Sequence, residues 1–378
     1  MRNSKIVIIN QSTGYLTIDI VNAFASNYDE VTLIAGSIKE SERKLDSKVM
    51  VDLIVSYNRN SSIQRLWTWL AGTAGIFFKL LFKYRDYKVV YITNPPMSYL
   101  CSLLLHNPYS IIVYDIYPEA LKNIGIKDGS IFYKLWGRWN MRLFRKAETV
   151  FTLSDGMGSE LSKYIDRSRI KVIYNWSASE NIHPVPRDEN KFIKDNNLEG
   201  MFIVLYSGNI GYTHNVESVI EVAEKLRSHE DIRFLFIGEG KKKEILQNKV
   251  REYGITNCIF MTWQSTQVLP FSLASADIGV VTLNDETATV SVPSKTYNLL
   301  AVGTPLMCIA PQSSELNRLV SSYGNGKCFD KNNIDGMAGY ILRLHEDNQL
   351  RLRMSEASLE ASKHFTYKNA MEYVQALP

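Results

Sequence analysis

Along the first half of the chain, short runs of β-branched and aromatic residues alternate with longer stretches whose apolar positions recur at helical spacing. Strands are predicted at residues 5–10, 31–35, 49–55, 88–93, 111–114 and 149–153, with a loop over 11–15 and a helix from residue 16. The intervals are mostly long enough for crossover helices, so this half reads as a parallel, doubly wound sheet. The alternation breaks between residues 170 and 200. A strand at 171–174 is followed there by Asn175-Trp176 and a polar segment marked by His183-Pro184-Val185-Pro186, which places an inter-domain linker. Strands then resume at 202–207, 233–237, 258–262, 278–282 and 306–309, and residues 334–378 are helical and charged. The expected architecture is α/β: two doubly wound, Rossmann-like domains facing across a cleft. Residues 1–180 form the first and 181–360 the second, with 361–378 crossing back to the first as a helix.

Composition adds little to that picture, but charge does. At 378 residues, 45% hydrophobic and 22% charged, the chain is ordinary globular material long enough for two domains. Cys101, Cys258, Cys308 and Cys328 are far apart and form no CxxC pair, which argues against a zinc site or a disulfide framework. The net charge of +4 is uneven: residues 1–180 hold 23 Lys and Arg against 16 Asp and Glu. No nucleic-acid-binding signature accompanies that surplus, so the expected partner is an anionic membrane surface and not nucleic acid. The apolar run 6–9 near the N-terminus is strand length and lacks the longer core of a signal peptide, so a cytoplasmic protein is expected.

In open α/β sheets the ligand sits at the carboxyl ends of the strands, so the loops there carry the candidate chemistry. After 202–207 comes Gly208-Asn209-Ile210-Gly211, and after 233–237 comes Gly238-Glu239-Gly240 with Lys241, Lys242 and Lys243. Glycines in such loops allow close backbone approach, although they also serve plain tight turns, and a lysine run is usually a solvated face. The stretch from Pro293-Ser294-Lys295 to Gly303-Thr304-Pro305 reads as a helix opened by Pro293 and Ser294, with Ser294 as N-cap, and closed at Gly303. Its start would offer free backbone N–H groups, a positive dipole end and the Lys295 charge, all suited to a phosphate. The alternative is an ordinary helix between two strands with a surface lysine. In the first half, Asp115 and Glu119 lie just beyond a buried-looking strand and are candidates to orient or deprotonate an acceptor hydroxyl, unless Asp115 merely caps the next turn.

Residues 202–310 resemble the donor-binding half of GT-B enzymes of glycosyltransferase family 4. The resemblance rests on Tyr206-Ser207-Gly208-Asn209-Ile210-Gly211, Ile237-Gly238-Glu239-Gly240, Ala276-Asp277-Ile278-Gly279-Val280 and the run from Pro293 to Pro305. With Asn94-Pro95-Pro96 and Asp115-Ile116-Tyr117-Pro118-Glu119, it extends to the bacterial transferases of O-antigen and capsule synthesis, including the fucosamine-transferase-like, Pro-Ser-Lys subgroup. Membership implies a retaining transfer from a nucleotide sugar, a UDP-sugar above all, to a lipid-linked saccharide. By position, the expected donor contacts are Gly208, Asn209, Gly211, His214, Gly238, Gly240, Ser294, Lys295 and Asn298, and the expected chemistry comes from Asp115, Glu119 and Lys295. The glutamate pair common in the family falls here on Val290 and Asn298, and the usual diphosphate-gripping Arg and Lys on Asn209 and His214. Breaking a sugar–diphosphate bond chiefly needs charge stabilised on the leaving oxygens. Backbone N–H groups at Gly211 and Ser294 with Lys295 and His214 can supply that, and no metal or other cofactor is then required.

Two stretches bear on the membrane. Residues 66–82 are apolar and aromatic with Lys79 as the one charge, too short and interrupted to span and better suited to a buried or in-plane helix. Residues 133–146 interleave Tyr133, Trp136, Trp139 and Phe144 with Lys134, Arg138, Arg142, Arg145 and Lys146, as in a surface helix, although such aromatics also build cores. The resulting reading is a peripheral enzyme on the inner membrane face. A GT-B-like sugar-nucleotide epimerase and a non-catalytic nucleotide-binding subunit remain open alternatives.

Overall fold

The computed structural model describes residues 4–40, 43–58, 60–124, 129–178, 180–211, 215–283 and 292–378. The chain divides into two units, Met1–Asn175 with Tyr367–Pro378, and Trp176–Thr366. Among the described residues each unit holds one sheet, and every pairing within it is parallel.

The first sheet consists of β1 (Lys5–Thr13), β2 (Glu30–Ile38), β3 (Met50–Leu53), β4 (Lys88–Ile92), β5 (Tyr109–Val113), β6 (Val150–Thr152) and β7 (Ile170–Val172), in the order β3-β2-β1-β4-β5-β6-β7. The second consists of β8 (Phe202–Ser207), β9 (Ile232–Ile237), β10 (Cys258–Met261), β11 (Ile278–Thr282), β12 (Leu306–Ile309) and β13 (Gly326–Phe329), in the order β10-β9-β8-β11-β12-β13. Central strands of such sheets are covered on both faces, which is why they read as unbroken apolar runs; Ile6, Val7, Ile8 and Ile9 are all fully buried. The winding reverses between β1 and β4 and again between β8 and β11. Switch points of this kind are where open α/β sheets take ligands at their strand ends.

The departures from the sequence pattern have local causes. β1 continues through residues 11–13, where a loop was expected, because Ser12 and Thr13 stay in register with Ser37 and Ile38 of β2. Their polarity conceals the strand, although Asn10, Gln11 and Thr13 are buried. β13 is four residues with one glycine and one lysine and carries no strand signature at all.

The end of the chain belongs to the first unit. Helix Ala370–Gln375 sets Tyr373 against Phe151, with ring centroids 5.0 Å apart, and Thr149 donates to the Ala376 carbonyl at 3.3 Å.

Helices Ser62–Phe82 and Ile131–Lys146 of the first unit are each opened by a serine, Ser61 and Ser130, whose side chain accepts a backbone N–H three residues on. Both pack on the 3-10 turn Ser98–Leu103. The second is fastened there by Trp136 donating to the Tyr99 hydroxyl at 2.8 Å and by that hydroxyl donating to Asn140 at 2.8 Å.

Candidate functional site

In the second unit the loops after β8 and β9 are laced together. Gly208 N–H donates to the Ile237 carbonyl at 2.9 Å, Ile210 N–H to Glu239 at 2.9 Å, and Lys242 N–H to Ile210 at 3.1 Å. Gly238 and Gly240 have φ of +145° and +155°, and a Cβ on either would stand 2.0 Å from the Gly208 oxygen or 2.3 Å from the Ile210 oxygen. These two glycines therefore let one loop lie on the other, a role distinct from contact with a ligand. The neighbouring lysines are engaged: Lys242 pairs with Glu217 at 2.6 Å and Lys243 with Glu239 at 2.7 Å. Asn209 is exposed at the tip of the first loop, with Gly211 behind it.

Helix Ser294–Ala301 follows β11. Ser294 is its first residue and makes no capping bond; the cap position falls on Pro293, whose extended backbone opens the helix, so the expected serine cap does not form. The other end closes as expected. Gly303, at φ +76°, donates to Leu300 at 2.9 Å while Thr304 donates to Leu299 at 3.0 Å. The helix lies close on β11 because Gly279 leaves room for Leu299, to which a Cβ would come within 2.8 Å. Asn298 is turned to the start of the unit, its Oδ1 accepting from Ser177 Oγ at 3.2 Å and Ala178 N at 3.1 Å. Asp277, also in the resembling motifs, is a clasp: it accepts from Ile203 N at 2.8 Å and pairs with Arg187 at 3.1 Å. His214 and Val290 lie outside the described residues.

Lys295 is the unusual member. Its stem is partly exposed, but Nζ is sealed from solvent and has no hydrogen-bond partner among the described residues. It stands 4.0 Å from the centre of the Tyr206 ring, under Gly208, where a Cβ would come within 2.9 Å of Nζ. Glycine at 208 is thus what admits the lysine. Burial without a counter-charge drives the Lys295 pKa down to about 7. A buried ammonium lacking an acceptor, beside a helix start, suits an anion, and an arriving anion would favour its charged form.

Asp115 occupies the switch point of the first unit. It lines a cavity of about 320 Å³ at the ends of β1, β4 and β5, with Asn10, Thr93, Tyr57, Trp69 and Tyr117 among the walls. Thr93 Oγ1 accepts from the N–H groups of both Tyr114, at 3.0 Å, and Asp115, at 3.2 Å, which fixes the turn after β5. The Asp115 carboxylate has no hydrogen bond or ion pair among the described residues, and the surrounding protein raises its pKa above the usual aspartate value. Glu119 does not line this cavity. Its Oε1 is held by Lys163 at 2.6 Å and by the hydroxyls of Tyr164, at 2.5 Å, and Tyr133, at 3.4 Å, in a network behind it. The cavity's polar floor and aromatic wall escaped sequence reading. Asn10 and Thr93 are the first polar residues after apolar runs, the one signal that could have found them.

The two membrane-directed stretches divide by face. Trp136 and Phe144 are core, whereas Lys134, Arg138, Arg142, Arg145 and Lys146 are exposed. Helix Ser62–Phe82 buries Trp69, Gly72, Ile76 and Leu80 but leaves Ile63 82%, Trp67 67%, Phe78 56% and Phe82 78% exposed. No helix among the described residues is long and apolar enough to cross a membrane.

Residues 188–361 match the sequence model of glycosyl transferases group 1. Among related sequences, WbjE of Pseudomonas aeruginosa, named as a glycosyltransferase, is 26% identical over 71% of this chain and 69% of its own length. WcaI of Escherichia coli, named for colanic acid biosynthesis, is 29% identical over 56% of this chain and 54% of its own. Among solved structures, Anabaena HepE in complex with UDP and glucose superposes with a TM-score of 0.72 at 16% identity, over 98% of both chains. The lipopolysaccharide-biosynthesis glycosyltransferase WaaG does so at 0.70 and 12%, over 98% of this chain and 99% of its own. Residues 188–361 are a glycosyl transferases group 1 domain, and the chain that carries it is a glycosyltransferase of GT-B fold.

Proposed function

We propose that this glycosyltransferase moves a sugar, with retention at the anomeric carbon, from a UDP-sugar to a lipid-linked saccharide during surface polysaccharide synthesis. The observation that carries the donor half is Lys295: a sealed, unpartnered ammonium at the start of helix Ser294–Ala301, beneath the Gly208 loop. In this reading the diphosphate takes the Lys295 charge with backbone N–H groups near Ser294 and Gly211, and those groups stabilise the leaving oxygens as the anomeric C–O bond breaks. They do so without a metal, so transfer should survive chelation. The acceptor hydroxyl forms the new bond and gives up its proton, for which Asp115 is the candidate base in the first unit. HepE, solved with UDP, supports the choice of nucleotide, and WbjE and WcaI support the polysaccharide setting.

The lipid-linked acceptor is supported by the first unit's surface. The exposed apolar residues of helix Ser62–Phe82 and the five exposed basic residues of helix Ile131–Lys146 suit an in-plane contact with anionic lipid. The test begins with a thermal-shift screen of nucleotides and nucleotide sugars, since a ligand of the folded state raises the melting temperature. The stabilising nucleotide sugar is then supplied in labelled form with membrane lipid extract. Label in the organic phase, with the donor's anomeric configuration kept in the product, supports the reading. Stabilisation by no nucleotide, or turnover of the donor without an acceptor, overturns it.

A further inference from the structure

Among the described residues the Lys295 ammonium has one favourable neighbour, and it is a ring. Tyr206, the last residue but one of β8, is fully buried, with its ring centre 4.0 Å from Nζ, and its hydroxyl donates to the Asn209 carbonyl at 2.7 Å. One side chain therefore touches both the cation and the backbone of the loop that lies over it. We propose that Tyr206 is a positioning residue for donor binding: its ring holds Lys295 charged beneath Gly208 before any anion arrives, and its hydroxyl keeps the Gly208–Asn209 loop above.

The chemistry requires such a device. No carboxylate among the described residues pairs with Lys295. Burial alone favours the neutral amine, which would leave the site without its cation at neutral pH. A desolvated ammonium on an aromatic face recovers part of what it loses in leaving water, enough to move a titration by about one pH unit. An aliphatic side chain would fill the same core position and give nothing back. The ring also accounts for Gly208 from below: with Nζ fixed on Tyr206, no Cβ fits above it.

The inference rests on the donor reading of Lys295, and the experiment separates the two. Tyr206→Leu removes the ring, whereas Tyr206→Phe removes only the hydroxyl, with its bonds to the Asn209 carbonyl and Thr282. UDP affinity is measured by calorimetry for both variants and the parent at pH 6 and pH 8. Taking each variant as a ratio to the parent cancels the titration of UDP itself. Burial alone sets Lys295 near 7, the value left in Tyr206→Leu, and the ring holds the parent about one unit higher, so the loss is about fivefold at pH 8 and close to none at pH 6. Tyr206→Phe should show no such pH-dependent loss.

Equal losses at the two pH values, or Phe as damaging as Leu, overturn the ring's role. A measurement on the parent protein decides the matter even if Tyr206→Leu does not fold or UDP does not bind. The Lys295 ε-methylene resonance, assigned by its absence in Lys295→Met, should be shifted upfield by the ring current. An unshifted resonance overturns the proposal. An upfield resonance in a protein that binds no nucleotide leaves the Tyr206 cradle standing and overturns the donor reading instead.

Discussion

Replacing Lys295 by methionine should make the protein more stable and less able to bind its donor. The lysine's pKa falls from 10.5 to about 7 on folding. At about 1.36 kcal/mol per unit, that sets a ceiling of roughly 5 kcal/mol on the destabilisation from holding the ammonium in a dry site. The Tyr206 contact offsets up to about 2 kcal/mol of this, and a methionine of similar length keeps most of the packing. A gain of about 1–3 kcal/mol at pH 7 is expected, or roughly 2–10 °C in melting temperature for a unit of this size. The sign of the pH dependence is fixed by linkage. Between about pH 7 and 10.5 the unfolded lysine binds a proton that the folded one does not, so parent stability climbs with pH across that window. The advantage of the methionine variant is therefore full at pH 6–7 and fades towards pH 10. Melting curves at pH 6, 7.5 and 9 measure it, and calorimetry with UDP should show about 1.5–3 kcal/mol of lost affinity, the range for a hydrogen bond to a charged group. A variant destabilised to the same extent at every pH, or one binding UDP as the parent does, would refute the assignment of Lys295 as a sealed donor-binding cation.

Three further outcomes are expected. Asp115→Asn should leave UDP affinity unchanged while lowering transfer, and because its pKa is raised, the parent's transfer rate should fall with decreasing pH already above the usual aspartate range; equal loss of binding and transfer would assign Asp115 a structural part. Gly238→Ala should cost more than about 2 kcal/mol by urea denaturation, since it adds a clash with the Gly208 oxygen to a strained φ. Changing Arg138, Arg142 and Arg145 together to Gln should weaken sedimentation with anionic vesicles by about 3 kcal/mol at low salt, with neutral vesicles bound by neither protein; unchanged sedimentation would reject the basic face.

Much of the donor side was legible because helix boundaries have a residue grammar. The run from Pro293 to Pro305 shows its proline start and its left-handed glycine end, and only the serine cap was misplaced. The glycines were legible as close approaches, but not what approaches. A sequence does not say that Gly208 makes room for Lys295 of a helix more than eighty residues on, or that Gly238 makes room for Gly208. Tyr206 stood in a quoted motif without a role of its own, since an aromatic residue near the end of an apolar strand reads as plain core. Asp115 and Glu119, four apart, looked equivalent. They part company because Tyr133, Tyr164 and Lys163 claim one of them, contacts the spacing of Asp115 and Glu119 does not reveal.

The return of Tyr367–Pro378 to the first unit has a consequence for biosynthesis. The second unit is, in chain terms, an insertion, complete once residue 366 is made, while the unit begun first still lacks Tyr373. On the ribosome the order of completion is thus inverted: the first-made sheet waits, with the Phe151 face uncovered, until residues 367–378 leave the exit tunnel. A chain interrupted after residue 366 would present a finished second unit joined to an unfinished first one. Completion of the unit begun first therefore depends on residues made after the whole of the second.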